Sequence, residues 1–269
     1  MAETGDAVTG DSTRRAMALV ASSAEGAQAA EAALRERYDF VPVEEADLIV
    51  ALGGDGFLLQ TLHDMLLGTA PMLPVFGMHR GTIGFLMNDH EVDGLADRVA
   101  RAKAFSVPPL RMRACTVHGD LIEHHAINEV SLLRETRQTA WVEISVNDNV
   151  VMPQLICDGI LVATPAGSTA YNLSANGPIL PLGSKLMALT PISPFRPRRW
   201  RGALIPDELT IRLCVLDPVK RPVSAVADQL EVREVSTVEV SIDRGRALTL
   251  LFDPEHALDE RIAMEQFAV

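Results

Sequence analysis

The fold is decided by the stretch Ala46-Asp47-Leu48-Ile49-Val50-Ala51-Leu52-Gly53-Gly54-Asp55-Gly56, in which an apolar run leads directly into a glycine-rich turn. The run predicts a strand over residues 47–52 that is buried on both faces, as in a parallel sheet. Residues 57–67 then carry leucines at helical spacing. The glycine-rich turn is therefore predicted to join the end of a buried strand to the start of a helix.

The rest of the first hundred residues alternates in the same way. Apolar runs at 17–21 and 73–78 predict two more strands, and the segments 24–37 and 91–104 have the composition of helices. Alternating strands and helices indicate a doubly wound α/β domain. We expect this domain to span residues 1–105, with a flexible segment at 1–14.

The pattern changes after residue 105. Short apolar segments of period two follow at 111–118, 126–133, 142–146, 159–164, 210–215 and 237–242, and residues 191–206, with four prolines, are predicted to form a loop. This pattern predicts a β-rich, sandwich-like domain over 106–250. Residues 251–269 are expected to return to the N-terminal domain.

Composition limits the possible partners. The 269 residues carry a formal net charge of −12, which argues against a nucleic-acid-binding surface. An anionic ligand must therefore be held by local donors. Three widely spaced cysteines without a CxxC motif fit a reducing compartment. We find neither a secretory leader nor an apolar run of 18 residues, and therefore predict a cytoplasmic protein without a membrane partner.

A second motif lies about a hundred residues after the first. It reads Asp158-Gly159-Ile160-Leu161-Val162-Ala163-Thr164-Pro165-Ala166-Gly167-Ser168-Thr169-Ala170-Tyr171, and Asn172 and Ser174 follow closely. Its hydroxyl groups can donate and accept hydrogen bonds, which suits a ribose, an amide or a phosphate. Together with a carboxylate in a phosphate-sized loop, the motif indicates phosphoryl transfer to a nucleotide.

Simpler interpretations of both motifs stay open at this point. The first could be a tight turn with Asp55 as a helix N-cap. The second could be a capped short helix, with Ser168 and Thr169 at the cap, and Asp158-Gly159 could form a hairpin turn. The adjacent histidines His124 and His125 would point to opposite faces of a strand, so no metal site is assigned to them.

With both motifs read, the chain resembles the NAD kinase family. The resemblance rests on the Gly-Gly-Asp-Gly turn at 53–56, the segment 80–86, Asn128-Glu129 and the motif that begins at Asp158, which occur in the family's order. It covers most of residues 46–250. The fold that it implies is shared with diacylglycerol kinases. The Gly-Ser-Thr-Ala-Tyr element is specific to the NAD kinases, whereas the glycine-rich turn also occurs in lipid and sugar kinases.

The resemblance implies ATP-dependent phosphorylation of the adenosine ribose 2′-hydroxyl of NAD, with Asp55 as the general base. The backbone of Gly53, Gly54, Asp55 and Gly56 would hold the ATP phosphates. The residues implied to bind NAD are Asp55, Gly56, Phe85, Asn128, Glu129, Asp158, Ala166, Thr169, Ala170, Tyr171, Asn172, Ser174 and Gln229. A divalent cation, Mg²⁺, would accompany ATP, since phosphoryl transfer needs charge neutralisation. A homodimer or homotetramer is also implied, and Asp158 would reach the nicotinamide side from a neighbouring subunit.

The chain departs from the family pattern at three positions. Phe57 stands where the family commonly has threonine, Ala166 where it has threonine or serine, and Ile156 where it has a basic residue. Two other functions stay open. One is a lipid or sugar kinase that shares the glycine-rich turn, and the other is an NADP-binding sensor without turnover.

Overall fold

The computed structural model describes residues 15–80 and 86–254 of the chain. The predicted flexible segment at 1–14, the site candidate Phe85 and the residues after 254 lie outside this part. The described helices are α1 (Glu25–Arg35), α2 (Asp55–Leu66), α3 (Leu95–Arg101) and α4 (Tyr171–Ser174).

Seventeen strands are described. They are β1 (Met17–Ala21), β2 (Leu48–Gly53), β3 (Val75–His79), β4 (Lys103–Val107), β5 (Leu110–Thr116), β6 (Leu121–Ala126), β7 (Glu129–Arg134), β8 (Ala140–Val146), β9 (Asn149–Cys157), β10 (Gly159–Ala163), β11 (Leu186–Ile192), β12 (Ala203–Pro206), β13 (Ile211–Val215), β14 (Val223–Ala227), β15 (Leu230–Val232), β16 (Val235–Ile242) and β17 (Leu248–Phe252).

The N-terminal sheet has the strand order β1-β2-β3-β17-β4. Strands β1, β2, β3 and β17 run parallel to one another, and β4 is antiparallel to β17. Strand β2 is buried along its whole length, because α1 and α3 cover one face of the sheet and α2 covers the other. Helices on both faces confirm the predicted doubly wound α/β architecture.

Two six-stranded antiparallel sheets form the rest of the fold. Their strand orders are β12-β11-β10-β7-β14-β15 and β6-β5-β16-β13-β8-β9. Buried residues from both sheets, such as Leu132 and Ile160 from one and Met112 and Leu213 from the other, belong to a single core cluster. Two sheets that face each other across one core agree with the predicted sandwich-like fold.

Strand β17 pairs with β3 and β4 in the N-terminal sheet. The chain thus crosses back to its first sheet near the end of the described residues. The division of the chain after residues 105 and 250 into two domains and a C-terminal segment stays a prediction.

Several predicted boundaries were wrong for local reasons. The helix expected at 91–104 covers only Leu95–Arg101, because Gly94 adopts φ 72° before it and residues 103–107 pair with β17. The loop expected at 191–206 includes the end of β11 and all of β12. The strand expected at 126–133 is divided between β6 and β7, since the intervening main chain bonds to a side chain described below.

Candidate active site

The glycine-rich turn lies where the sequence predicted it. Gly53 ends β2, Gly54 occupies the N-cap position of α2, and Asp55 is the first helical residue. The N-cap residue is Gly54 and no side chain from the described residues caps this helix, so the interpretation of Asp55 as an N-cap was wrong. The Leu86 N–H donates to Oδ1 of Asp55 at 3.4 Å, which brings the residues after the segment 80–85 next to this carboxylate.

Two of the glycines have open space where a side chain would begin. Among the described residues, a Cβ atom on Gly54 or Gly56 would meet no atom within 4 Å apart from its chain neighbours and the helix backbone, whereas one on Gly53 would lie 2.9 Å from Cβ of Phe57. The Phe57 side chain therefore fills the space over Gly53. The start of α2 offers main-chain N–H groups beside this open space, and such a helix start favours an anion.

Asn128 and Glu129 are held by a buried carboxylate. Oδ1 of Asp228 accepts hydrogen bonds from the N–H groups of Asn128 (3.0 Å) and Glu129 (3.1 Å), and Oδ2 accepts from the Ile127 N–H at 2.6 Å. Three consecutive N–H groups thus bond to one side chain. This bonding is the reason that β6 and β7 are separate strands.

The second motif crosses directly over this segment. The Thr164 hydroxyl donates to the Ile127 carbonyl oxygen at 2.7 Å, and the Thr164 N–H donates to the Asn128 carbonyl oxygen at 2.9 Å. The Gly167 N–H in turn donates to Oγ1 of Thr164 at 3.0 Å. The two features singled out in the sequence, Asn128-Glu129 and the Thr164–Gly167 turn, are therefore adjacent in the fold.

Helix α2 packs against both of these segments. Leu58 and Leu62, on the helix that begins at Asp55, share a core cluster with Ile127 and Ala166. This packing brings the helix with the candidate base next to the segments with the candidate substrate residues. The two motifs, a hundred residues apart in sequence, border one region of the molecule.

Glu129 has the most perturbed carboxyl group of this region. Burial raises the pKa of Glu129 to about 7, and the negative charge of Asp228 acts in the same direction. A hydrogen bond from the Tyr171 N–H opposes the rise. Within the described residues, Oε2 of Glu129 is buried and has no hydrogen-bond partner, so it can offer a hydrogen bond to a ligand.

The other predicted residues of the second motif differ in their exposure. Ala166 is buried, Thr169, Ala170 and Tyr171 are half-buried, and Ser174 is exposed. Asn172 is fully buried, and its amide NH₂ group donates to the carbonyl oxygens of Ser168 and Pro178, while its Oδ1 accepts from Thr190. The Asn172 side chain therefore holds the turn together and has no surface for a ligand.

The expected helix caps were also wrong. Residues Ala166–Thr169 form a 3₁₀ helix, and α4 starts only after Ala170 without a side-chain cap. The Ser168 hydroxyl donates to the Pro165 carbonyl oxygen at 2.7 Å and accepts from the Leu180 N–H at 2.9 Å. Ser168 is thus a buried residue of the turn.

Asp158 lies away from the other candidates. It connects β9 in one sheet to β10 in the other, so the hairpin interpretation was wrong. Its Oδ1 accepts a hydrogen bond from Arg134 Nε at 2.6 Å. Gly159 pairs with Leu133, whereas Ala163 pairs with Glu129. At about 3.3 Å per residue, Asp158 is roughly 16 Å along the strand from Glu129.

Two further features complete the region. Gln229 is exposed, and its Nε2 donates to Oε1 of Gln60 on α2 at 3.4 Å. A cavity of about 340 Å³ lies between β4 and the segments at 164–166 and 182–186, and Ala166 is the one predicted NAD residue within the described part of the chain that lines it. The cavity therefore borders the candidate site on one side.

Sequence reasoning missed Asp228 and His63. Nε2 of His63, on α2, lies 2.7 Å from Oδ2 of Asp228, and these side chains are 5% and 9% exposed. Asp228 and Gln229 form the two-residue turn between β14 and β15. Aspartate is common in such turns, so the sequence signal for Asp228 is the same as that of an ordinary hairpin.

A helix start with an open glycine-rich turn and a carboxylate, next to a second domain with buried polar groups, defines the class of nucleotide-dependent phosphotransferases.

Among the residues that the structure describes, no helix is long and apolar enough to cross a membrane.

Comparisons with known proteins agree with this class. The family model of the ATP-NAD kinase C-terminal domain matches residues 127–258. The NAD kinase of Rhizorhabdus wittichii is 63% identical over 257 residues, which cover 96% of this chain and 100% of that protein. The NAD kinase of Zymomonas mobilis is 61% identical over 251 residues, which cover 93% and 97%. The chain belongs to the NAD kinase family.

Two solved structures share the fold. Yeast NADH kinase complexed with NADH has a TM-score of 0.78 at 21% identity and covers 96% of this chain and 88% of that one. An NAD kinase from Archaeoglobus fulgidus in complex with ATP has a TM-score of 0.72 at 23% identity and covers 94% and 99%.

Proposed function

We propose that this chain transfers the γ-phosphoryl group of ATP to the adenosine ribose 2′-hydroxyl of NAD, which yields NADP and ADP. The observation that carries the proposal is the position of Asp55 in the first turn of α2, between two glycines with open space beside them. This arrangement combines a proton acceptor with an anion-binding helix start in one loop.

Asp55 acts in this proposal as the general base. A ribose hydroxyl is a poor nucleophile at neutral pH, and a carboxylate within hydrogen-bond reach accepts its proton as the new bond forms. The 2′-oxygen attacks the γ-phosphorus, the bond to the bridging oxygen breaks, and ADP leaves. Phosphoryl transfer needs little beyond positioning and charge stabilisation. Gly54 and Gly56 allow the phosphates to approach the main chain at the start of α2, whereas the Phe57 side chain covers Gly53.

NAD binding is assigned to the region next to α2. Asn128 and Glu129 hydrogen-bond the ribose hydroxyls, a role supported by the buried Oε2 of Glu129 without a partner among the described residues. The other proposed contacts to NAD come from Gly56, Phe85, Ala166, Thr169, Ala170, Tyr171, Ser174 and Gln229. Asn172 is removed from the direct contacts, because its amide is fully used inside the turn.

Mg²⁺ fits this site as a partner of the nucleotide. The described residues contain no group of three or more His, Cys, Asp and Glu side chains that could hold a metal ion. The phosphates of ATP would supply most of its ligands, and Asp55 is the nearest protein carboxylate of the loop. When bound, the ion offsets phosphate charge, which matters in a protein of net charge −12.

A homo-oligomer is part of the proposal. Asp158 lies roughly 16 Å along the strand from Glu129, so a role for Asp158 at the nicotinamide side is best served by a second copy of the chain. We also propose a cytoplasmic location, where NAD and ATP are present. The three cysteines are unpaired, as expected in a reducing compartment.

One assay tests the proposed function directly. Purified protein is mixed with ATP, Mg²⁺ and NAD, and NADP is read with an NADP-specific dehydrogenase. Formation of NADP supports the proposal. ATP consumption with lipids or sugars but not with NAD would indicate the lipid or sugar kinase, and tight NADP binding without ATP consumption would indicate the sensor.

A further inference from the structure

The buried carboxylate of Asp228 makes contacts to two separate parts of the molecule. On one side it accepts hydrogen bonds from the N–H groups of Ile127, Asn128 and Glu129. On the other it contacts His63 on α2, with 2.7 Å between Oδ2 and Nε2. A carboxylate only accepts hydrogen bonds, so the Nε2 atom of His63 is the donor.

The first set of contacts determines the position of the proposed ribose-binding pair. Bonds from main-chain N–H groups to an ionised acceptor are about twice as strong as neutral ones. The Asp228 N–H also donates to the Glu129 carbonyl oxygen at 3.1 Å. Asn128 and Glu129 are thus bonded to Asp228 through both the main chain and the side chain of the aspartate.

The contact to His63 extends this bonding to the helix of the proposed base. His63 lies eight residues after Asp55 on the same helix, or about 12 Å along its axis. Because a helix is stiff over this length, a hydrogen bond at His63 constrains the distance and rotation of its N-terminal turn. At 5% and 9% exposure, the two side chains are protected from competing water.

We propose that Asp228 is a positioning residue for phosphoryl transfer, which sets Asn128 and Glu129 relative to α2 through its hydrogen bond with His63. The inference rests on the proposed function, because it assigns the ribose to Asn128-Glu129 and the proton transfer to Asp55. Asp228 touches neither the substrate nor the reacting atoms in this account.

The negative charge of Asp228 should also affect the reaction, and this effect can be measured separately through its pH dependence. In the described part of the chain, the charged or titratable groups that face the Glu129 carboxyl are the Asp228 carboxylate and the Tyr171 phenol. Burial is the main cause of the raised pKa of Glu129, and the charge of Asp228 adds to it. Removal of that charge should lower the pKa of Glu129, so the pH at which the KM for NAD changes should move to lower values.

The test compares four variants of the full chain with the unmutated protein. Asp228→Asn removes the negative charge and places an amide group next to the three N–H groups. His63→Leu removes the donor, and His63→Gln retains a donor of similar reach. Asp243→Asn is the matched control, because Asp243 also accepts from a histidine, His125, at 2.9 Å, but does so beside a surface turn.

Steady-state kinetics from pH 5.5 to 8.5 and calorimetric titration with NAD are measured for each variant. We expect Asp228→Asn to lower kcat/KM for NAD about 10- to 100-fold, the range produced by small misplacements of bound substrate. The KM for ATP should change less than about threefold, since the loop at 53–56 is retained. His63→Leu should lower kcat/KM, His63→Gln should restore most of it, and Asp243→Asn should resemble the unmutated protein.

The outcomes separate this inference from the proposed function. If the unmutated chain makes NADP and Asp228→Asn retains its kcat/KM and pH profile, the positioning role is wrong and the function stands. If the chain binds NAD without turnover and Asp228→Asn weakens that binding tenfold or more, positioning of the NAD-binding segment stands and the function fails. If Asp228→Asn does not fold, equal kinetics of His63→Leu and His63→Gln would overturn the role.

Discussion

There is no room between Gly167 and the main chain of Asn128 for even one methyl group, because the second motif crosses the Asn128 peptide at this glycine. This contact is where the two predicted substrate-binding segments meet. It explains why the motif has a glycine at this position without any need for an unusual backbone angle.

Gly167→Ala should therefore destabilise the protein. The added Cβ would overlap main-chain atoms of Asn128 that cannot rotate away, and overpacking typically costs about 1–3 kcal/mol of unfolding free energy. Urea unfolding measures this loss. Gly26→Ala in α1, where a Cβ meets no atom of the described residues within 4 Å outside the helix backbone, is the control and should be neutral or stabilising by about 0.5–1 kcal/mol. Equal stability of both variants would contradict the close crossing.

Gly54→Ala should impair function and change stability only by the small cost of an alanine N-cap, about 1 kcal/mol or less. Gly54 has an ordinary extended backbone (φ −115°, ψ −179°) and open space for a Cβ, so the fold accepts alanine. The added methyl group would occupy the space proposed for the ATP phosphates. We expect the KM for ATP to rise about tenfold, equivalent to about 1.4 kcal/mol, in a protein that remains fully folded at the assay temperature. An unchanged KM for ATP would place the phosphates elsewhere.

Asn172→Ala should lower stability more than it lowers intrinsic NAD affinity. The substitution leaves the carbonyl oxygens of Ser168 and Pro178 and the hydroxyl of Thr190 without their buried partner. Unsatisfied buried groups cost about 1–3 kcal/mol. Denaturation and calorimetric titration with NAD, measured where the variant is fully folded, distinguish the two effects. A stable variant that does not bind NAD would indicate that Asn172 contacts NAD directly.

Glu129 should make stability depend on pH. Its pKa is about 7 in the folded protein, whereas its ordinary value is 4.5. Between pH 4.5 and pH 7 the folded state therefore binds more protons than the unfolded state. The contribution of protonated Glu129 to the free energy of unfolding is fully present below about pH 4.5 and is lost as pH rises through 7. Relative to the unmutated protein, Glu129→Gln should thus gain stability from pH 5 to pH 8, by up to about 3 kcal/mol. A difference that is constant with pH would show an ordinary pKa.

Local sequence patterns predicted much of the fold. The run before Gly53 and the leucines after Gly56 were sufficient to place the turn between β2 and α2, because both elements have a continuous apolar signal. The segment at 103–107 lacked such a signal, since it becomes a strand only by pairing with β17, more than 140 residues later in the chain.

The same limit applies to the candidate site. Glycine and hydroxyl motifs identified the two loops, but the bond between His63 and Asp228 joins residues 165 positions apart. Nothing near either residue indicates the partner, because a histidine on a helix and an aspartate in a hairpin each have ordinary local explanations. The separation of Asp158 from Glu129 could not be predicted from sequence either, because it depends on how β7 pairs with β10.

The most direct test of the central claim is NADP formation by Asp55→Asn beside the unmutated protein, with ATP and Mg²⁺ in excess. The amide has nearly the same shape but is a far weaker base, and general-base catalysis contributes typically about 10²- to 10⁴-fold. We expect kcat to fall by at least about 100-fold, with an unchanged melting temperature and retained NAD binding. Turnover of Asp55→Asn at the unmutated rate would contradict the assignment of Asp55 as the base.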